Sequence, residues 1–300
     1  MAGAGWKFSR AEAMEKAAAA HYKALMTAFV KMHGLGNDFV VFDARDTAVS
    51  LDAAKAKAIA DRHFGVGCDT VVLIQPGGAK ADAGLLFFNA DGSESEACFN
   101  ATRCVARLLL DERGLARVKL STEAGILTCS DAGGKLVTLD VGAPKLDWHE
   151  IPLAEDVETA DFPLDIGGSV LSASAVSMGN PHCVLFVPDA QAAPVTQLGP
   201  RIETLPLFPN RTNVEFAQVL DRERIRMRVW ERGVGVTLAC GTGACATTVA
   251  AIRRGLVGRK VELVLDGGSL TIEWREEDGH IWMTGPTAMP FRGRLDLDKL

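Results

Sequence analysis

The chain repeats itself. MHGLGNDFVVFD, starting at Met32, resembles VSMGNPHCVLFV, starting at Val176, and the pairs Gly36-Asn37 and Gly179-Asn180 lie 143 positions apart. Cys98 and Cys240 lie 142 apart, and each follows the end of an apolar run by nine residues: Phe88-Asn89 in one case, Trp230-Glu231 in the other. RVKLSTEAGILT aligns with KVELVLDGGSLT at 143, matching Val118 with Val261 and Thr128 with Thr271. VTLDVG and HIWMTG end on Gly142 and Gly285 at the same offset. The segments after the two cysteines both close on Gly-Leu, in DERGL and IRRGL, with basic residues before the glycine. That is a helix stop signal. Matches in one order at one spacing call for two copies of one unit.

Each copy reads as several short strands, in the first half VVFDA, TVVLI, LLFFN, VKLST, ILTCS and VTLDV, with one central helix after the cysteine. Residues 101–113 carry Val105, Leu108 and Leu109 on an apolar face, and residues 244–254 carry Ala244, Thr248, Val249 and Ile252. The expected fold is α+β: two duplicated domains, each a mostly antiparallel or mixed sheet wrapped around a central helix, with the active site in the cleft between them. The expected boundaries are an N-terminal extension at 1–28, a first half at 29–145 completed by a C-terminal strand at 288–300, and a second half at 146–287. The extension is Ala-rich and helix-prone, lacks the unbroken apolar core of a signal peptide, and carries Glu12 and Glu15, which disfavour a transit peptide. Met26 stands as an alternative start, which makes the preceding segment an extension or a cloning remnant.

Three hundred residues suffice for two ordinary domains. A hydrophobic content of 48% with 23% charged residues belongs to a globular chain. No apolar run is long enough to span a membrane. A formal charge of −6 and the lack of a basic stripe give no footprint for nucleic acid. Seven cysteines, an odd number, read as reduced thiols of a cytoplasmic protein.

The chemistry follows from the duplicated cysteines. A thiol at a helix N-terminus meets unpaired backbone N–H groups and the positive end of the helix dipole, which favour thiolate. The same N–H groups suit a carboxylate, and Gly241 and Gly243 permit close approach. Two such ends face to face would grip a small carboxylate with one sulfur on either face of its α-carbon. That geometry fits stereoinversion by two bases, one thiolate removing the α-proton and the opposing thiol returning one. Donors aimed at the carboxylate stabilise the developing charge, by roughly 3 kcal/mol per well-placed donor. The chemistry calls for no cofactor and no metal, and HExxH, P-loop and dinucleotide fingerprints are missing.

HGLGNDF, FNADGSE, SMGNPHC, VWERG and ACGTGAC occur in this order. Through them the chain resembles the diaminopimelate epimerases over about 270 residues, from Phe29 to the C-terminus. The resemblance implies a cofactor-independent two-thiol epimerase converting L,L-diaminopimelate to the meso form in lysine biosynthesis, with Cys98 and Cys240 as the acid/base pair. It implies substrate contacts from Asn37, Asn89, Asn100, Asn180, Asn213, Glu231, Arg232, Gly241 and Thr242, and a supporting role for His182 near the catalytic cysteine. Arg232 with Asn89 and Asn213 would hold the distal carboxylate, Asn100 and Thr242 the reacting one, and Glu231 the ammonium. It also implies a homodimer.

Two positions depart from the family pattern. Cys98-Phe99-Asn100-Ala101 replaces Cys-Gly-Asn-Gly or Cys-Gly-Asn-Ala, so Phe99 stands where the family has glycine. Either the backbone there is ordinary and the benzyl group points away, or substrate preference or activity has changed. Thr70 stands where many relatives carry glutamine. Two alternatives follow: a proline or hydroxyproline racemase of the same fold, and a small-molecule binding protein impaired at Phe99. The remaining cysteines, Cys68, Cys104, Cys129, Cys183 and Cys245, read as buried small hydrophobes. Helical spacing of Cys98, Cys104, Cys240 and Cys245 argues against a zinc site. Arg224, Arg226 and Arg228 alternate as a solvated strand face.

Overall fold

The computed structural model describes residues 26–300. All of the expected extension up to residue 25, and with it the reading of that segment as helix-prone, lies outside the described residues. The first strand, β1 (Thr27–Gly34), begins two residues before the Phe29 expected to open it.

The first half continues with β2 (Asn37–Asp43), α1 (Ala53–Ala60), β3 (Thr70–Pro76), β4 (Ala83–Asn89), β5 (Glu94–Ser95), α2 (Phe99–Arg113), β6 (Arg117–Thr122), β7 (Gly125–Asp131) and β8 (Leu136–Gly142). After β9 (Phe162–Asp165), the second half runs β10 (Val170–Ser177), β11 (Pro181–Phe186), α3 (Val195–Glu203), β12 (Asn213–Val219), β13 (Arg224–Glu231), β14 (Gly235–Val236), α4 (Gly241–Arg253), β15 (Lys260–Leu265), β16 (Gly268–Trp274) and β17 (Ile281–Pro286). β18 (Ala288–Leu295) and a single 3₁₀ turn (Leu297–Lys299) follow.

The two halves share one pairing scheme. β1–β2 is antiparallel, β2–β3 parallel, β3–β4 antiparallel, β4–β6 parallel, and β6–β7 and β7–β8 antiparallel. In the same order, β10–β11 is antiparallel, β11–β12 parallel, β12–β13 antiparallel, β13–β15 parallel, and β15–β16 and β16–β17 antiparallel. This is the mixed, duplicated α+β architecture expected from the repeat. β8 and β17 pair antiparallel and join the halves, with Thr138 Oγ1 and Thr284 Oγ1 2.7 Å apart across the seam. β18 returns to pair with β1, and β9 flanks β10.

The sheet of each half wraps its long helix. α2 packs on β1, β2, β6, β7 and β8, and α4 on β10, β11, β12 and β16. The core around them is continuous from Val105 and Leu109 of one half to Val249 and Ile272 of the other. Each half also carries a second, shorter helix that the strand-and-one-helix reading did not include. α1 covers Val40, Phe42, Val71 and Phe88 on the outer face of its sheet. α3 covers Ala173, Leu185, Val214 and Phe216 in the second half. Asp52 caps α1, its side chain accepting from the Lys55 N–H. Coverage on both faces explains why TVVLI and LLFFN run apolar without alternation.

Candidate active site

Both long helices start immediately after a cysteine. Cys98 and Cys240 are the N-caps of α2 and α4, with extended backbones at φ −140° and −113°. The helix starts touch: a Cβ built on Gly241 would sit 3.4 Å from the Phe99 Cβ and 3.5 Å from Asn100 Oδ1. Asn100 spans the gap, its Nδ2 donating to Asn37 Oδ1 at 3.2 Å and to the Ala239 carbonyl at 3.3 Å. Cys98 Sγ lies 3.9 Å from the same Asn37 Oδ1. Asn37 is held by the Leu35-Gly36 hairpin turn, in which both residues have positive φ (57° and 87°). Gly36 meets that demand without strain, whereas Leu35 occupies a region side chains seldom adopt.

The second half builds its side from equivalent positions. Gly243 N donates to Cys240 Sγ at 3.4 Å, and Thr242 Oγ1 lies at the same distance from that sulfur. Asn180, equivalent to Asn37, directs Nδ2 at Thr242 Oγ1 over 3.5 Å, and its Oδ1 lies 3.0 Å from His182 Nε2. His182 Nδ1 stands 2.7 Å from Glu215 Oε1, with both side chains fully buried. Thr237 Oγ1 donates to Glu231 Oε1. Asn213 donates from Nδ2 to the Pro181 carbonyl at 2.9 Å and accepts the Arg232 N–H at 3.0 Å, which fixes the turn that displays Arg232.

The expected residues therefore fall into two groups. Asn37, Asn100, Asn180, His182, Glu231, Gly241 and Thr242 gather around the two sulfurs through these contacts. Asn89 and Arg232 are exposed and lie outside that network. Asn89 donates to Ser93 Oγ at 3.0 Å within its own turn, and Arg232 Nη1 to the Asn210 carbonyl at 3.1 Å. Asn213 joins the second group through its hold on the Arg232 backbone. Thr70 stands opposite Asn89 across β3–β4.

Both thiols are less acidic than a free cysteine. Burial pushes Cys98 up to about 11 and the Glu231 charge adds to it, while the Ala101 backbone N–H and the Arg103 guanidinium oppose. Cys240 is held well above the usual thiol value by burial and by the charges of Glu231 and Glu215. Burial also raises Glu231, against the hydrogen bond from Thr237.

Phe99 has an ordinary backbone. It is the first residue of α2, its φ is not in the left-handed region, and its side chain is 8% exposed within the central core. The benzyl group fills the seam opposite Gly241. Phe99→Gly is expected to empty that volume and destabilise the fold by about 3 kcal/mol or more, without a gain in turnover. Urea unfolding beside an activity assay checks this; an activity gain would show that the benzyl group obstructs the site.

Three residues at the site escaped sequence reasoning: Glu215, Arg103 and Thr237. Glu215 carried a signal, since strand alternation places it on the same face as Asn213 and Ala217 in NVEFAQV. Arg226 and Arg228, read as a solvated face, are instead half-buried and converge on Asp266, while Arg224 is exposed. Cys68, Cys104, Cys129, Cys183 and Cys245 are all buried and free. Among the described residues no group of three His, Cys, Asp or Glu side chains is placed to hold a metal ion.

A family model described as diaminopimelate epimerase matches residues 29–146 and 174–290. The diaminopimelate epimerase of Acidiphilium cryptum is 52% identical over 268 residues, covering 89% of this chain and 96% of the relative. That of Rhodospirillum centenum is 54% identical over 268 residues, covering 89% and 91%. Among solved structures, a phenazine biosynthesis protein of the PhzF family from Bacillus anthracis superposes with a TM-score of 0.65 at 16% identity, covering 90% of this chain and 99% of that one. A hydroxyproline epimerase from Agrobacterium vitis, with bound trans-4-hydroxy-L-proline, superposes with a TM-score of 0.63 at 16% identity, covering 90% and 91%. At such identities these two share the fold alone.

Proposed function

The chain belongs to the diaminopimelate epimerase family, and on that premise we propose that it inverts one α-carbon of L,L-diaminopimelate to give the meso isomer, a step of lysine biosynthesis. Cys98 and Cys240 act on opposite faces of that carbon, one thiolate accepting the α-proton while the opposing thiol donates another. The observation that carries this reading is the pair of equivalent helix starts, each capped by a cysteine, abutting at Phe99 and Gly241 and tied by Asn100.

The reacting carboxylate lies between the two helix N-termini, where unpaired N–H groups, Asn100 and Thr242 face it. These donors hold the second negative charge that develops on the carboxylate oxygens as the α-proton leaves. Glu231 pairs with the substrate ammonium. The exposed Arg232, displayed by Asn213, binds the distal amino-carboxylate together with Asn89, since a bidentate guanidinium recognises a carboxylate. Burial keeps water from protonating the carbanion on the wrong face. A cytoplasmic homodimer completes the proposal; a solution mass of 31.9 kDa, that of one chain, would reject the dimer.

Purified, reduced protein is expected to convert L,L-diaminopimelate to the meso isomer and to leave L-proline and trans-4-hydroxy-L-proline unchanged. Racemisation of either proline in preference to diaminopimelate would overturn the substrate assignment. Binding without turnover would overturn the reaction.

A further inference from the structure

Among the described residues Arg103 is the largest side chain that is fully shielded from solvent. It projects from α2 one turn after Asn100, five residues after Cys98. A guanidinium stays charged in a protein, and a buried cation ordinarily requires an anionic partner. Among the described residues Arg103 has no carboxylate within ion-pair distance. Its Nη2 donates to Asn100 Oδ1 at 2.8 Å, Nη1 lies 3.4 Å from Met283 Sδ, and Nε is without a partner. The ionisable groups that face it are thiols: Cys98 and Cys104 on its own helix, Cys245 on α4 and Cys129 on β7.

The space for this cation is made by two glycines. A Cβ at Gly34 would lie 3.2 Å from Nη2, and one at Gly285 3.1 Å from Nε. One glycine ends β1 and the other sits in β17, so the guanidinium is wedged where the halves meet. The duplication does not repeat it. At the offset of 142 its counterpart is Cys245, while the positions matching His182 and Glu215 in the first half are Phe39 and Val72. The fold therefore sets a buried cation on the Cys98 side and carboxylates on the Cys240 side.

We infer that Arg103 is a positioning residue for the Cys98 half of the reaction: its guanidinium locks Asn100 against Asn37 and Ala239, and its charge favours thiolate at Cys98 over Cys240. This role rests on the two-thiol reading given above. Asn37 and Ala239 engage the Nδ2 of Asn100, so the orientation of this residue between the two helix starts depends on its Oδ1 being held, and Arg103 is the group holding it. The facing charges agree in direction. Arg103 opposes the upward push of burial and Glu231 on Cys98. On Cys240, Glu231 and Glu215 reinforce burial, with only Thr242 and the Gly243 N–H opposing.

The test separates charge from hydrogen bonding. Arg103→Gln keeps an amide donor for Asn100 without the charge, and Arg103→Lys keeps the charge without the fork. Alkylation of Cys98 by iodoacetamide, an uncharged probe, would be followed by peptide mass in both variants and the parent, beside L,L-diaminopimelate turnover. Between about pH 7 and 8.5 the fold is intact and the alkylation rate is proportional to the thiolate fraction. In Arg103→Gln the Cys98 alkylation rate at a given pH is expected to fall about tenfold or more, the effect of a one-unit rise in the thiol's pKa. Its turnover should fall at least as far. In Arg103→Lys the rate should stay near that of the parent. An unchanged rate in Arg103→Gln, whatever its turnover, would overturn the role, since lost packing alone predicts that outcome. Should Arg103→Gln fail to fold, Arg103→Met, also uncharged, takes its place under the same two outcomes. Because alkylation needs no substrate, a parent protein that never epimerises would sink the function without deciding this role.

Discussion

Cys240→Ala is expected to fold normally and to lose epimerase activity by about a thousandfold or more, within the range a positioned acid or base supplies. It should not lose all chemistry. Cys98 would still remove the α-proton from the isomer that presents it, and with no donor on the opposite face the carbanion can only be reprotonated where it was formed. Deuterium from D₂O should therefore enter one isomer without inversion. Cys98→Ala should show the mirror behaviour, exchanging deuterium into the other isomer. Both sulfurs cap equivalent helices at the margin of the core that holds Val105 and Val249, and alanine at either cap removes a single sulfur atom from it. Exchange into both isomers by either single variant would contradict opposed bases. Epimerisation retained within tenfold would contradict a role for that cysteine altogether.

Alkaline pH is expected to unfold this protein unusually steeply. Burial raises Cys68, Cys104, Cys129 and Cys245 to about 12, and raises Cys183 further still. In the unfolded chain these thiols ionise near pH 8.5. Between about pH 8.5 and 12 the unfolded state has therefore released protons that the folded state keeps. Fewer protons on the unfolded chain make the slope of unfolding free energy against pH negative. The stability is intact below about pH 8.5 and lost as pH rises toward the folded values. Each thiol contributes at most about 1.4 kcal/mol per pH unit, and five together approach the whole stability of an ordinary domain, about 5–15 kcal/mol, within two units. Urea midpoints measured under reductant at successive pH values should fall steeply above pH 9. Replacing Cys129 and Cys245 with alanine should flatten that fall. A midpoint constant to pH 11 would show that these thiols ionise in place.

The duplication was legible because it is written in spacing. Offsets of 142 and 143 survive in Gly36-Asn37 and Gly179-Asn180, in the two cysteines and in the strands after them, and the strand pairings repeat accordingly. The helix starts were legible through the cysteines, and their ends through Gly114 and Gly255, both in left-handed conformation. α1 and α3 were not. AAKAKAIA is short and weakly patterned, and VTQLGPRIE, although Val195, Leu198 and Ile202 recur at helical spacing, is interrupted by Gly199-Pro200, which reads as a break. They form because each covers the outer face of a sheet, a demand of tertiary packing that local sequence does not carry.

At the site, the residues that touch the sulfurs announced themselves through motifs, whereas those behind them did not. Arg103 looks like one more basic residue in the amphipathic helix NATRCVARLLL, and only the glycines at 34 and 285 reveal that it points into the core. Those glycines are remote in sequence, so no local pattern links them. Phe99 misled in the opposite direction. Against the family pattern it reads as an obstruction, yet in the fold it fills the seam opposite Gly241.

The claim that two opposed thiols act on one carbon is tested most directly by the fate of the transferred hydrogen. L,L-Diaminopimelate would be converted in D₂O under initial-rate conditions, and product and residual substrate separated and weighed by mass spectrometry. If the thiol that donates is not the one that accepts, the first meso product carries one deuterium at the inverted carbon while the recovered L,L isomer carries almost none. If a single base serves both faces, the meso product retains the original protium, and the pairing of Cys98 with Cys240 as acid and base is wrong.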